Sequence, residues 1–483
     1  MKQLLYAALL IFSLGWAQQS QPAQPAPAVQ QTLQQAQAAL EAGRLNEAVQ
    51  GFEAVIARDF SNYSAHFGLG LALYRLGDLR GAAFEFNLLT TLDPNRFEGW
   101  FNLGVVRDRQ GQAGEASQAF ARAVEVGEKA NLSPADLKPA YVGQVKALRV
   151  QGQHDAAAAA ARKGLEKVPG DAELTSLLAD SLVKANKPLE ALPVLYQILS
   201  TDPANVQAVS QIADIFSAQG LPQRALREID RGLEAARDNS VRAQLLLKKS
   251  TLQQGREQQA SLQEAARLDP RLWAAQYNLG IARLRDGNAR GALESFQNAY
   301  AQNPDEPKVL LGLATAYDRL GQAAESGRFA AMAVRASQGA DRIDALFLQG
   351  KSSYTLRRYT EAVETLSQVT QQRADNADAW FFLGVSQFNL KDYAAAATSL
   401  ERALALSPSA STAANLGAAL YSAGRYSDAE RVLSQAVALD VRNSVAWYNL
   451  GLTLRSLGRV AEARRAWQRS ADLGYAPARD LLR

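Results

Sequence analysis

Bulky apolar residues and glycines return along this chain on a fixed schedule. Phe52, Phe86 and Phe120 lie 34 residues apart in turn, and so do Gly43, Gly77 and Gly111. Gly70 to Gly104, Gly350 to Gly384 and Gly417 to Gly451 each span 34 again. One period is Leu69-Gly70, Leu73, Gly77, Ala82, Phe86, then Asp93-Pro94. It predicts two helices joined at Gly77, with proline stopping the second and aiming the chain into the next unit. Units of this size, repeated in tandem, bury their apolar faces against neighbours, and the core grows in one dimension.

Each recurring residue has a physical task. Gly70 and Gly104 fall inside a helix, where glycine costs about 1 kcal/mol against alanine, a cost that close approach of another helix justifies. Gly77 and Gly111 fall between helices and take the turn. Ala82 and Ala116 are small for the same close-contact reason, and Phe86 and Phe120 fill the space between units.

These residues resemble the tetratricopeptide repeat. Trp100-Phe101-Asn102-Leu103-Gly104 and Trp447-Tyr448-Asn449-Leu450-Gly451 match the first half of its pattern, and Ala292, Phe296, Ala299 and Pro304 match the second. The resemblance implies an all-α, right-handed superhelical solenoid of tandem antiparallel helix pairs. Roughly thirteen units are expected, starting near 29, 63, 97, 138, 172, 206, 240, 273, 307, 343, 377, 410 and 444. Units one to three occupy 29–137, with an insert around Asn131-Leu132-Ser133-Pro134 that reads as a longer helix end or a protruding loop. Units four to seven, 138–272, are degenerate, with Val145, Ala179, Ala213 and Lys248 in place of the mid-helix glycine. Units eight to thirteen fill 273–475, with extra residues near Ser337-Gln338-Gly339. Residues 476–483 read as a capping helix.

The first residues follow another grammar. Met1-Lys2, the apolar run Leu4 to Leu14 and the small residues Gly15 and Ala17 predict a secretory signal peptide over 1–17, cleaved after Ala17. Residues 18–28, rich in proline, glutamine and alanine, predict a disordered spacer. No other stretch has membrane length, so the expected mature protein is exported without a transmembrane anchor, to the periplasm or cell envelope or out of the cell.

Composition narrows the chemistry. Cysteine is absent, which removes disulfides, thiolate metal sites and cysteine nucleophiles. A net charge of +4 over 483 residues makes no general case for nucleic acid. His66 and His154 lie far apart with no ligand cluster in sequence, and no phosphate-binding loop or nucleophile elbow occurs. No enzyme, cofactor or metal site is expected.

The resemblance implies that first helices line a concave groove through their positions two, five, six, nine and twelve. Those positions hold Asn102, Asn278, Asn415 and Asn449 at one recurrent place, either as amides for the backbone of an extended peptide or as bridges between helices. They also hold Phe347, Tyr354, Phe381, Phe382, Phe388, Tyr421 and Tyr448, which read as an aromatic channel or as core between units. The family's carboxylate clamp fails, since Ala414 and Ala418 precede Asn449 and Phe67 precedes Asn102. The last unit is basic, with Arg442, Arg455, Arg459, Arg464, Arg465 and Arg469 against Glu462 and Asp472; it suits either an anionic surface or a solvated cap. The expected function is an exported scaffold that holds a protein or peptide in its groove. A structural assembly platform and a binder of carbohydrate or wall polymer are the alternatives.

Overall fold

The structure, a computed structural model, describes residues 27–482. The expected signal peptide, its cleavage point and most of the spacer lie outside the described residues; the last two spacer residues, Pro27 and Ala28, are already helical. The described residues form 27 helices and no strand.

Antiparallel pairs follow one another: α1 (Pro27–Glu41) with α2 (Leu45–Ile56), α3 (Tyr63–Leu76) with α4 (Leu79–Leu92), and α5 (Phe97–Arg109) with α6 (Ala113–Lys129). Then come α7 (Pro134–Val150) with α8 (His154–Lys167), α9 (Ala172–Lys184) with α10 (Pro188–Thr201), and α11 (Val206–Ala218) with α12 (Pro222–Ala235). These six pairs make one compact unit, which ends at Ala236.

A second unit begins at Arg237. It holds α13 (Asn239–Ser250) with α14 (Gly255–Leu268), α15 (Trp273–Arg285) with α16 (Ala289–Gln302), and α17 (Pro307–Arg319) with α18 (Ala323–Ala336). Next are α19 (Gly339–Thr355) with α20 (Tyr359–Gln372), α21 (Ala377–Asn389) with α22 (Tyr393–Leu406), and α23 (Ala410–Ser422) with α24 (Tyr426–Leu439). The series closes with α25 (Ser444–Ser456), α26 (Val460–Asp472) and the short α27 (Ala476–Asp480), which packs on α26.

Local chemistry sets the helix ends. Asn62, Asn376 and Asn443 cap first helices by accepting the backbone N–H three residues on, at 3.0, 2.9 and 3.0 Å. The turn inside a pair takes a left-handed residue, as at Gly77 (φ 86°) and Gly458 (φ 79°). Arg357 and Lys391 occupy the same place at φ 61° and 66° and carry the strain of a side chain there. The extra residues of units three, four and ten lengthen helices: α6, α7 and α19 each have 17 residues. The insert is thus a pair of longer helix ends around Asn131, not a protruding loop.

Packing turns on one buried side chain per second helix. Phe296 is fully buried, and a Cβ on Gly280 or on Gly312 would lie 2.6 or 2.7 Å from its ring. One phenylalanine of α16 is therefore clasped between its own first helix and that of the next pair. Phe120 sits likewise against Gly104 and Gly143. In three pairs the first helix carries a residue larger than glycine and the second one smaller than phenylalanine. Val145, Ala179 and Ala213 stand 16 residues before Ala161, Leu195 and Ile229, all essentially inaccessible to solvent. Volume moves across the contact while its sum is kept near close packing.

Two outcomes follow for stability. Phe296→Ala should lower the unfolding free energy by about 3–5 kcal/mol, read from a urea denaturation curve. Lys391→Gly should raise it by about 0.5–1 kcal/mol, because relief of the left-handed conformation exceeds the added freedom of the unfolded chain.

Candidate interaction surface

In the second unit each first helix touches the first helix of the next pair, from α13 through α25, whereas successive second helices have no comparable contact. Helices in lateral contact lie on the inside of a curve and splayed helices on the outside. The inner face of this unit is therefore built from α13, α15, α17, α19, α21, α23 and α25. In the first unit such contacts join α1 to α3, α5 to α7 and α7 to α9.

The two inner faces differ in chemistry. In the first unit polar side chains bridge neighbouring first helices. Lys146 meets Glu173 at 2.7 Å, Arg149 meets Asp180 at 3.1 Å, and Gln207 donates to the other Asp180 oxygen at 2.7 Å. Lys138 meets Asp171 at 2.6 Å. Burial works against the Asp171 carboxylate, but the Lys138 ammonium and the Leu174 N–H hold its pKa below the ordinary value. These pairs occupy the part of the face built from α7, α9 and α11; nearer the start, α3 and α5 carry the half-buried rings of Phe67, Tyr74 and Phe101.

The second unit presents rings. Phe382 lies 6.3 Å from Phe347, 5.4 Å from Tyr354 and 5.4 Å from Phe381, centroid to centroid. Phe388 packs on Tyr393, Tyr421 on Tyr426, and Tyr448 on Tyr475 at 5.1 Å. All seven of the expected aromatics are half-buried: each rests on the core and keeps part of its surface open. Burial raises the Tyr354 and Tyr448 hydroxyl pKa values, so both remain neutral donors. A charge among the rings, Lys351, is spent on Asp318 at 2.8 Å and lies 5.8 Å from the Phe382 centroid. Between these rings α23 presents the small Ala418, flanked by Asn415 and Tyr421.

The four asparagines do not share one environment. Asn102 is 6% exposed, and its amide donates to the Glu98 carbonyl in its own helix at 2.8 Å. Asn415 donates to Ser411 in the same way at 2.9 Å but remains half-exposed, with its oxygen open. Asn278 and Asn449 are half-buried, and their side chains have no hydrogen-bond partner among the described residues. Neither Asn102 nor Asn415 bridges helices; both satisfy a carbonyl within their own turn.

Sequence reading missed a buried pair in the first unit. His66 on α3, 2% exposed, shares a 2.6 Å hydrogen bond through Nδ1 with Glu85 on α4, and its Nε2 donates to the Phe60 carbonyl at 2.9 Å. Burial disfavours the imidazolium, but the Glu85 carboxylate, the Phe60 carbonyl and the charge of Asp59 outweigh it and raise the His66 pKa. The 19-residue separation was the only available signal, since it joins facing positions of two helices. His154 has no such partner. No cluster of potential metal ligands occurs among the described residues, and no described helix is long and apolar enough to cross a membrane.

A solenoid of helix pairs with a ring-lined inner face defines a repeat scaffold, and comparison with known proteins names the family. Two sequence models of the tetratricopeptide repeat match the chain, one at 33–96, 142–206, 347–411 and 415–478, the other at 182–249 and 283–347. The chain belongs to the tetratricopeptide repeat proteins, a family of scaffolds for protein–protein interaction.

Human DnaJ homolog subfamily C member 3 is 24% identical over 212 residues, covering 41% of this chain and 41% of that protein. Its mouse counterpart matches equally, so the chain spans about two fifths of the length of these curated relatives. Among solved structures, the APC/C hetero-tetramer Cut9-Hcn1 matches at 17% identity over 92% of this chain and 94% of that one, with a TM-score of 0.39. The P58(IPK) TPR domain matches at 19% identity over 76% and 99%, with a TM-score of 0.29. YrrB, described as a TPR protein with an unusual peptide-binding site, matches at 19% over 38% and 94%, with a TM-score of 0.35.

The His66–Glu85 pair has a definite pH signature. A raised folded-state pKa means that its stabilisation is complete below the unfolded value and is lost as pH rises through the folded value. The difference in thermal midpoint between the native chain and His66→Gln should therefore shrink as pH climbs from 5 to 8, with NMR titration of His66 giving its midpoint.

Proposed function

We propose that this protein is an exported scaffold of the cell envelope that holds an extended segment of a partner protein on the inner face of its second unit. The carrying observation is the run of half-buried rings and unbonded amides on the second face. Ion pairs cross the α7–α11 part of the first face, while the second offers half-buried ring surface from Phe347 to Tyr448 and unpartnered amides at Asn278 and Asn449. Rings bury large area at small entropic cost, and side-chain amides bond a peptide backbone whatever its sequence. Binding of this kind is a sum of modest contacts without chemistry, and no catalytic role is assigned.

Export rests on the signal grammar of residues 1–17. The mature protein purified from its host should begin at Gln18 and fractionate outside the cytoplasm; an amino terminus retaining Met1 in a cytoplasmic fraction would refute that half of the reading.

Capture on the inner face has its own test. Ala418→Arg places a long charged side chain among the rings of α21, α23 and α25, while Gln371→Arg adds the same charge to exposed surface of α20. Ala418→Arg should reduce recovery of the co-purifying partner at least about tenfold, a loss of 1.4 kcal/mol or more, and Gln371→Arg should leave it unchanged. Equal recovery with both would move binding away from this face.

A further inference from the structure

The last two pairs enclose a cleft of about 430 Å³ on the side away from the rings, between second helices α24 and α26. Its floor is apolar: Trp447, Leu450 and Leu454 of α25. The Trp447 indole N–H donates to the Val441 carbonyl at 3.0 Å, which fixes the ring and leaves only apolar surface to the cleft. At one end Arg459 is held by Glu430 and by Glu462 at 2.6 Å, two carboxylates sharing one guanidinium. At the other end stand Arg465 and Arg469, one turn apart on α26, facing the exposed hydroxyl of Ser434 across the gap. Neither guanidinium forms an ion pair or hydrogen bond among the described residues; the charge of Arg465 is felt by Glu462, which Arg459 already holds.

This arrangement departs from the repeat that produced it. Trp100 and Trp380 are pinned by the same bond to the carbonyl six residues back, at 3.0 and 2.9 Å, and each has an arginine 22 residues on, as Trp447 has Arg469. In the third pair, Arg122 already lies 5.6 Å from the Trp100 ring and pairs with Glu125. Where Arg465 stands, the earlier pairs have Gln118 and Thr398. A second arginine and two uncommitted guanidinium groups are thus a property of the last pair.

We propose that this cleft is a second docking site, independent of the inner face, for a short acidic peptide segment that carries a bulky apolar side chain. The apolar side chain covers Trp447, Leu450 and Leu454, and one or two carboxylates take the guanidiniums of Arg465 and Arg469. Charge complementarity selects an acidic partner. An open cleft of this volume with an apolar floor has room for a side chain and a few residues of peptide.

The test uses the full chain and a fluorescein-labelled hexapeptide of alternating glutamate and leucine, read by fluorescence anisotropy. Binding should weaken at least about tenfold in Arg465→Glu/Arg469→Glu and fall with added salt, while Arg442→Glu, at an exposed arginine outside the cleft, should leave it unchanged. Peptides with glutamine for glutamate, or glycine for leucine, should bind at least about tenfold more weakly. Ser434→Trp fills the cleft from its exposed wall and should abolish binding even where the double charge reversal disturbs folding, as checked by circular dichroism. The proposal is overturned by absence of binding, by equal loss in Arg442→Glu, or by undiminished binding of the glycine peptide. Phosphatidylglycerol vesicles that bind through the same arginines and displace the hexapeptide would also overturn it, in favour of a membrane surface.

Discussion

Everything in this molecule depends on one contact made again and again: a buried side chain from a second helix seated against two first helices. At Phe296 the seat is made by Gly280 and Gly312, whose missing Cβ atoms leave the ring its space. Dispersion and loss of apolar surface from water act together there, and neither helix can shift without opening a void. Because the contact joins one pair to the next, it sets the spacing of the pairs and, through them, which surfaces are left facing outward or inward.

The same constraint explains how the array tolerates departure from its own pattern. In the pairs around Val145, Ala179 and Ala213 the glycine is lost, and the opposing residue becomes Ala161, Leu195 or Ile229. Near the end the seat takes Leu400, Leu433 and then Trp467, whose indole lies within reach of the absent Cβ of Gly451. What persists is a buried contact across the helices, and the identity of each partner is free to drift. Side chains pointing away from the seat are freer still, so part of one inner face became a lattice of ion pairs while rings line the other.

In the proposed function, recognition uses those freer positions. Tyr421 and Phe388 support the core with one side and meet solvent with the other, so stability and recognition draw on the same residues. The ring-bearing face and the outer cleft beside Trp447 are separate surfaces with different chemistry. The first offers neutral rings and amides. The second sets uncommitted positive charge beside an apolar floor.

The amino-acid sequence alone determined that the chain is a tandem array of helix pairs. Its marks are local: a turn glycine, a small residue and an aromatic at a spacing that the backbone converts directly into helix, turn and helix. It also singled out the positions that line the first helices. Tertiary structure alone decided what those positions do. Asn102 and Asn449 occupy the same place in their units, yet one is buried and bonded to Glu98 while the other is open. His66 finds Glu85, and Arg465 finds no carboxylate, because the answer depends on what a neighbouring helix places opposite. That neighbour lies many residues away, and its side chains vary independently of the repeat that positions them.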